Sequence, residues 1–171
     1  MGLGNSKHTS TREVVYLAML VAVTVVISRF FLIPVPMTHG NVNLCDAGIF
    51  IAALLLGRKQ GAIVGALSGF LLDLISGYSQ YMFFSLVVHG LEGFVAGWIG
   101  AGKSRGIKIL AMVVGTVVMV AGYFLTDSLL YHVSVGLIGV PTNFIQGILG
   151  GVVAYLVSIP LENRLPHLLD S

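Results

Sequence analysis

The chain has 171 residues, of which 56% are hydrophobic and 9% charged, with a mean hydropathy of +0.96. A soluble domain carries roughly 25% charged residues, so the composition excludes that class and points to one integral membrane domain over 1–171, without a soluble catalytic appendage. The net charge of +2 resides in short loops, which implies no nucleic-acid patch, and the single Cys45 excludes an internal disulfide or a Cys-based metal cluster.

Lys7 and Arg12 precede the first apolar run. The stretch from Val14 to Ile33 is long for a signal peptide, and no small-residue cleavage pattern follows it. A retained helix is expected over 13–33, carrying the small-xxx-small pair Ala18 and Ala22. The connection Pro34 to Asn43 holds two prolines two residues apart and cannot continue that helix. It reads as an irregular outer segment, either a lid or a plain connector.

Apolar runs at 46–57 and 61–77 follow, joined by the basic, glycine-flanked turn Gly57-Arg58-Lys59-Gln60-Gly61. Both fall short of the ~20 residues of a usual crossing, so tilt, or a hairpin shorter than the bilayer, is expected. Helices over 81–101, 108–132 and 142–162 complete the count, with Lys103, Arg105 and Lys108 between the fourth and fifth and Arg164 after the last. Six crossings put eight of the nine Lys and Arg residues on one side, Arg29 being the exception. Because cytoplasmic loops hold the excess of Lys and Arg, the expected fold is an all-α bundle of six transmembrane helices with N- and C-termini cytoplasmic. Connections near 34–46, 77–80 and 134–140 then face outward.

Many of the 22 glycines are spaced for helix packing: Gly57, Gly61, Gly65 and Gly69 repeat every four residues, as do Gly93 with Gly97 and Gly147 with Gly151. No GxxxxGK[ST], HExxH or GxSxG motif occurs, so no catalytic residue, metal ligand or cofactor is assigned. Energy for any transport must come from an ion gradient or another subunit.

Ionisable groups at bilayer depth cost about 2.5–3.5 kcal/mol each on insertion scales, which makes their placement informative. His89 and Glu92 are three apart, Asp127 and Tyr131 four apart, and Asn143 and Gln146 three apart, so each pair shares a helix face in the outer half of the bundle. With Asn43 and Tyr81 they form the candidate substrate-binding set. Tyr78, Phe83, Phe84 and Tyr123 are candidate aromatic walls. Structural alternatives stand beside these. Asp46 is an N-cap or a ligand contact, Asp73 pairs with Arg29, and His89 with Glu92 is an internal pair or a substrate contact. Asn143 and Gln146 could satisfy loose N–H groups at a helix start, and His39 and His132 read as interfacial surface residues.

The segments Gly40-Asn41-Val42-Asn43-Leu44-Cys45-Asp46-Ala47, Gly57-Arg58-Lys59-Gln60-Gly61-Ala62, Leu72-Asp73-Leu74-Ile75-Ser76-Gly77-Tyr78 and His89-Gly90-Leu91-Glu92-Gly93 together resemble the substrate-binding S components of energy-coupling factor (ECF) vitamin transporters. The likeness covers nearly the whole chain. It implies a bacterial plasma-membrane protein that captures a vitamin or precursor from outside and is not itself an enzyme. Its partners would be a transmembrane coupling subunit (EcfT-like) and two ATPase subunits (EcfA-like), besides membrane lipids. An AxxxA-like pair on the first helix of that family contacts the coupling subunit, and Ala18 with Ala22 matches it. The first outer loop closes over substrate in such proteins.

A pocket of carboxylates, His, amides and Tyr suits a small hydroxylated heteroaromatic, pyridoxine (vitamin B6) or hydroxymethylpyrimidine. Riboflavin is an alternative. Pantothenate is a weaker one, because its carboxylate would find no fixed cation besides Arg29. A self-sufficient proton-coupled secondary transporter is the competing class, although no convincing internal repeat is visible.

Overall fold

The structure, a computed structural model, describes residues 11–162; Lys7 and Arg164 lie outside the described residues. Six helices follow in order: α1 (Thr11–Phe30), α2 (Cys45–Leu56), α3 (Arg58–Ser76), α4 (Met82–Gly100), α5 (Arg105–Leu130) and α6 (Val133–Glu162). Between α1 and α2 the chain forms a two-stranded antiparallel hairpin, β1 (Ile33–Pro34) with β2 (Asn41–Val42), pairing Ile33 with Val42. The Pro-rich segment between the two short strands, residues 35–40, is irregular backbone of turn and bend as the sequence predicted, and Met37 at its tip takes a left-handed conformation with φ 66°.

Four helices, α1, α4, α5 and α6, are long and apolar enough to cross a membrane. The 12 residues of α2 reach about 18 Å at 1.5 Å per residue, against ~30 Å of hydrocarbon. Its position explains its composition: α2 packs against α1, α3, α4 and α6, so apolar side chains are needed around most of its circumference. Phe50, Ala53 and Leu54 meet Ala96, Ala111, Met112 and Ala154 on one side. On another, Ala52 joins Leu17, Val21 and Val25 of α1 and Val64 of α3. The sequence-predicted turn between α2 and α3 shrinks to Gly57, whose φ of 100° and ψ of −177° suit a residue without Cβ. Gly57 is thus a corner, and its backbone also lies against Gly97 of α4, where the packing stripe that continues at Gly61 begins.

That stripe lies against α4. A Cβ on Gly61 would stand 2.6 Å from the Gly93 carbonyl oxygen, and one on Gly65 would collide with the His89 carbonyl. Backbone-to-backbone approach of this kind is how small residues hold helices together in lipid. Gly147 instead makes room for the Thr116 side chain of α5.

The largest departure from expectation is α6, which begins at Val133 and contains Pro141 within its length. Residues 134–140, expected as an outer connection, are helical, and the link from α5 is Tyr131-His132. Gly136 and Gly139 signal a loop in water, but here they are the contact points. A Cβ on Gly136 would lie 2.7 Å from the Phe124 carbonyl oxygen, and one on Gly139 would lie 3.1 Å from Asp127 Oδ2. Away from water a helix persists through such residues because its backbone groups have no better partners. Asn143 and Gln146 consequently lie well inside α6 rather than at its start.

Polarity is arranged inside out. Large apolar side chains such as Phe30, Trp98, Leu129 and Leu156 are exposed, whereas Asp46, Ser68, Ser85 and Glu92 are fully buried. α1 packs on α2 and α3 and leaves Ala18 and Ala22 exposed.

Candidate functional site

The hairpin and the ends of α3 to α6 enclose a small polar cavity. Val35, Thr38, Gly40, Asn41 and Asn43 form its cover; Gly69, Leu72 and Asp73 come from α3, His89 from α4 with Tyr81 just before it, Tyr123 and Asp127 from α5, and Gly139, Thr142, Asn143 and Gln146 from α6. Six of the eight residues expected from sequence line it: Asn43, Tyr81, His89, Asp127, Asn143 and Gln146. Glu92 lies behind His89, fully buried and outside the lining. Tyr131 stacks on His39, ring centroids 4.0 Å apart, next to the Tyr81 ring. His39 and His132 are exposed, as surface residues should be.

Gln146 ties the cover to the bundle: its Oε1 accepts from the Asn43 backbone N–H at 3.0 Å, and its Nε2 donates to Asp46 Oδ1 at 3.2 Å. Asn43 Oδ1 accepts from the Cys45 N–H at 2.7 Å, while its Nδ2 donates to Asn41 Oδ1. The N-cap position of α2 is Leu44. Asp46 is therefore not the N-cap, because Asn43 satisfies the helix start and Asp46 turns inward to Gln146.

On the cavity wall, Tyr81 donates to Asp127 Oδ1 at 2.7 Å. Ser85 donates to Asp73 Oδ2 at 2.5 Å and lies 2.7 Å from the Tyr123 hydroxyl, which in turn is 3.0 Å from His89 Nε2. His89 Nδ1 lies 2.7 Å from Glu92 Oε2 and 3.7 Å from Asp46 Oδ1. The 2.7 Å separation has the length of a charge-assisted hydrogen bond.

The Asp73–Arg29 pair expected from sequence is not formed: Asp73 is buried on Ser85, and Arg29 is exposed at the end of α1. Phe83 is also absent from the cavity, being 64% exposed and packed on Phe70; Tyr78 and Phe84 do not line it either. Sequence reasoning missed Asp73, Thr38, Asn41 and Thr142 as lining residues. For Asp73 the signal was present, a carboxylate in an apolar run, and the wrong partner was assigned.

Among the described residues no Lys or Arg lines the cavity, while Asp73 and Asp127 both do. The wall is thus rich in acceptors, with donors limited to hydroxyls, amides and the imidazole. It suits a neutral or basic ligand with N–H and O–H groups.

Comparison with known proteins agrees with this architecture. The profile of the family described as "ECF-type riboflavin transporter, S component" matches residues 8–163. The "Thiamine precursor transporter HmpT" of Lactococcus lactis subsp. cremoris (strain MG1363) is 39% identical over 158 residues, covering 92% of this chain and 91% of that protein. An "Uncharacterized protein in gap 3'region" of Pyrococcus woesei is 30% identical over 151 residues, 88% of this chain and 99% of the relative. Among solved structures, FolT bound with folic acid superposes with a TM-score of 0.70 at 21% identity, covering 91% of this chain and 95% of that one, a likeness of fold. With a family match over most of its length and a helical bundle in which four helices are long and apolar enough to cross a membrane, this chain belongs to the family of ECF-type riboflavin transporter S components.

Proposed function

We propose that this chain is the binding subunit of an ATP-driven vitamin transporter and that its ligand is a hydroxymethylpyrimidine-type precursor of thiamine, with pyridoxine the next candidate. The observation that carries the reading is the cavity's charge: two carboxylates, an imidazole and several amides, with no Lys or Arg among the described residues that line it. The relative named as a thiamine precursor transporter, at 39% identity, points to the same ligand class. An aminopyrimidine with a hydroxymethyl arm offers amine and hydroxyl donors to Asp73 and Asp127. Its ring nitrogens accept from Asn143 Nδ2 or from a hydroxyl. Gly139 leaves Asp127 Oδ2 open toward the cavity, since any Cβ there would stand 3.1 Å from it. Tyr81, His89 and Tyr123 supply the faces against which a flat ring packs.

In this reading the chain is one domain crossing the membrane six times. α2 and α3 fill the space of two crossings around the Gly57 corner, and both termini are cytoplasmic, as the Lys and Arg bias requires. The cavity then opens outward under the β1–β2 hairpin. ATP hydrolysis belongs to two separate ATPase subunits joined through a coupling subunit, which docks on the exposed Ala18 and Ala22 face of α1. All eight sequence-derived residues retain a part: Asn43, Tyr81, His89, Asp127, Asn143 and Gln146 at the ligand, Glu92 behind His89, and Tyr131 bracing Tyr81 and His39.

Calorimetric titration of the purified chain with hydroxymethylpyrimidine, pyridoxine, riboflavin and pantothenate tests the assignment. Hydroxymethylpyrimidine should bind tightest and pantothenate not at all; binding of riboflavin or pantothenate in its place refutes it. Vesicles containing only this chain should bind ligand without accumulating it. Gradient-driven accumulation would instead identify a secondary transporter.

A further inference from the structure

Five side chains form an unbroken line from the cavity wall into the core: Asp73, Ser85, Tyr123, His89 and Glu92, linked by contacts of 2.5, 2.7, 3.0 and 2.7 Å. Each hydroxyl has one proton to give, so the bonds constrain one another. Suppose both acids are ionised and His89 is neutral. Ser85 then donates to Asp73, the imidazole donates Nδ1–H to Glu92, and Tyr123 donates to Nε2. Nothing is left between Ser85 and Tyr123, whose oxygens would face each other bare. One added proton removes the defect, and a second recreates one, because donors then point inward from both ends. The line closes with one shared proton.

Its position follows from the charges around it. Nδ1 faces two carboxylates, Glu92 at 2.7 Å and Asp46 at 3.7 Å, whereas the far end has Asp73 alone. The other titratable groups nearby are Cys45 on α2, Tyr81 before α4 and Asp127 on α5, and α6 contributes only the neutral Asn143 and Gln146. No fixed cation competes among the lining residues. The proton is therefore held between His89 and Glu92, with Nε2–H donating to Tyr123, Tyr123 to Ser85 and Ser85 to Asp73. Gly69 permits the ring position, since a Cβ there would stand 2.6 Å from His89 Cδ2.

We infer that Glu92, which does not touch the cavity, is a positioning residue for the substrate site: the proton it shares with His89 closes this line, so that Tyr123 and Ser85 are held together and fix Asp73 in the cavity wall. The inference rests on the cavity being the substrate site and adds what holds its wall in place there. Loss of the proton at alkaline pH reverses the His89 tautomer, opens the Ser85–Tyr123 contact and loosens the wall that positions Asp73.

The test compares wild type with Glu92→Gln, whose amide N–H donates to His89 Nδ1 in the same direction without a titratable proton. Wild-type affinity for hydroxymethylpyrimidine should fall about tenfold or more on the alkaline side, where the free pyrimidine no longer titrates. The variant should bind within about threefold of wild type near neutrality and stay flat. Ser85→Ala cuts the line without touching His89 or Glu92 and should also abolish the alkaline fall, which keeps the test open if Glu92→Gln does not fold. Melting temperatures of ligand-free protein over the same pH range need no ligand: wild type should lose stability as the proton leaves, and the variants should lose less. Parallel pH profiles of wild type and variants overturn the inference. Failure of wild type to bind hydroxymethylpyrimidine at any pH, with the melting difference present, counts against the substrate assignment alone.

Discussion

Gly139→Ala separates ligand binding from folding at a single methyl group. Gly139 has ordinary helical backbone within α6, and its added Cβ would meet Asp127 Oδ2 at 3.1 Å and Asn143 Nδ2 at 3.7 Å. The first contact is tight by a few tenths of an ångström, which a carboxylate can absorb by a small rotation. The helix gains from the change, since Gly in a helix interior is about 0.5–1 kcal/mol worse than Ala. The melting temperature should accordingly be unchanged or raised. Binding should suffer, because the methyl covers the carboxylate oxygen not engaged by Tyr81. A hydrogen bond to a charged group contributes about 1.5–3 kcal/mol, equivalent to roughly 10- to 150-fold in Kd at 1.4 kcal/mol per decade. Titration calorimetry with hydroxymethylpyrimidine, paired with thermal melting in the same detergent, reads both quantities. Unaltered affinity in a variant that melts normally would refute the role given to Asp127 Oδ2.

Replacing Ala18 and Ala22 together by Leu should leave ligand binding intact and abolish uptake in cells containing the coupling and ATPase subunits, because both residues are exposed; lost binding with normal assembly would reverse that assignment. Gly65→Ala places a methyl on the His89 carbonyl and should destabilise the bundle by about 1–3 kcal/mol, measured as a lowered melting temperature, in contrast to Gly139→Ala. Gln146→Leu removes the acceptor of the Asn43 N–H and the donor to Asp46; ligand dissociation followed by stopped flow should quicken as the hairpin cover loosens, at about 0.5–1.5 kcal/mol per lost bond.

Much of the site was legible because the helical period acts on sparse polar residues. In an apolar chain, each Asp, Glu, His, Asn or Gln within a run faces inward, and pairs three or four apart share a face. Spacing reports the face but not the depth. His89 and Glu92 are on one side of α4, yet one turn carries Glu92 out of the cavity into contact with His89 alone. Pairing was illegible for the same reason: sequence places Asp73 and Arg29 at a similar expected depth and contains nothing to show that Ser85 is the partner of Asp73. Gly136, Gly139 and Pro141 punctuate chains in water, whereas here they allow α6 to start early and approach α5. The α2–α3 corner was readable as a glycine, but the central place of α2 comes from packing on four other helices.

Sided labelling of single cysteines tests the central claim, an outward cavity that closes over its ligand, most directly. In a Cys45→Ala background, Thr38→Cys lies at the cavity cover and Lys103→Cys in the exposed link between α4 and α5. An impermeant thiol reagent added to intact cells should modify the chain carrying Thr38→Cys, with protection by hydroxymethylpyrimidine, and leave the one carrying Lys103→Cys unlabelled until the membrane is opened. Labelling of Lys103→Cys from outside, with Thr38→Cys reached only from within, would contradict the account.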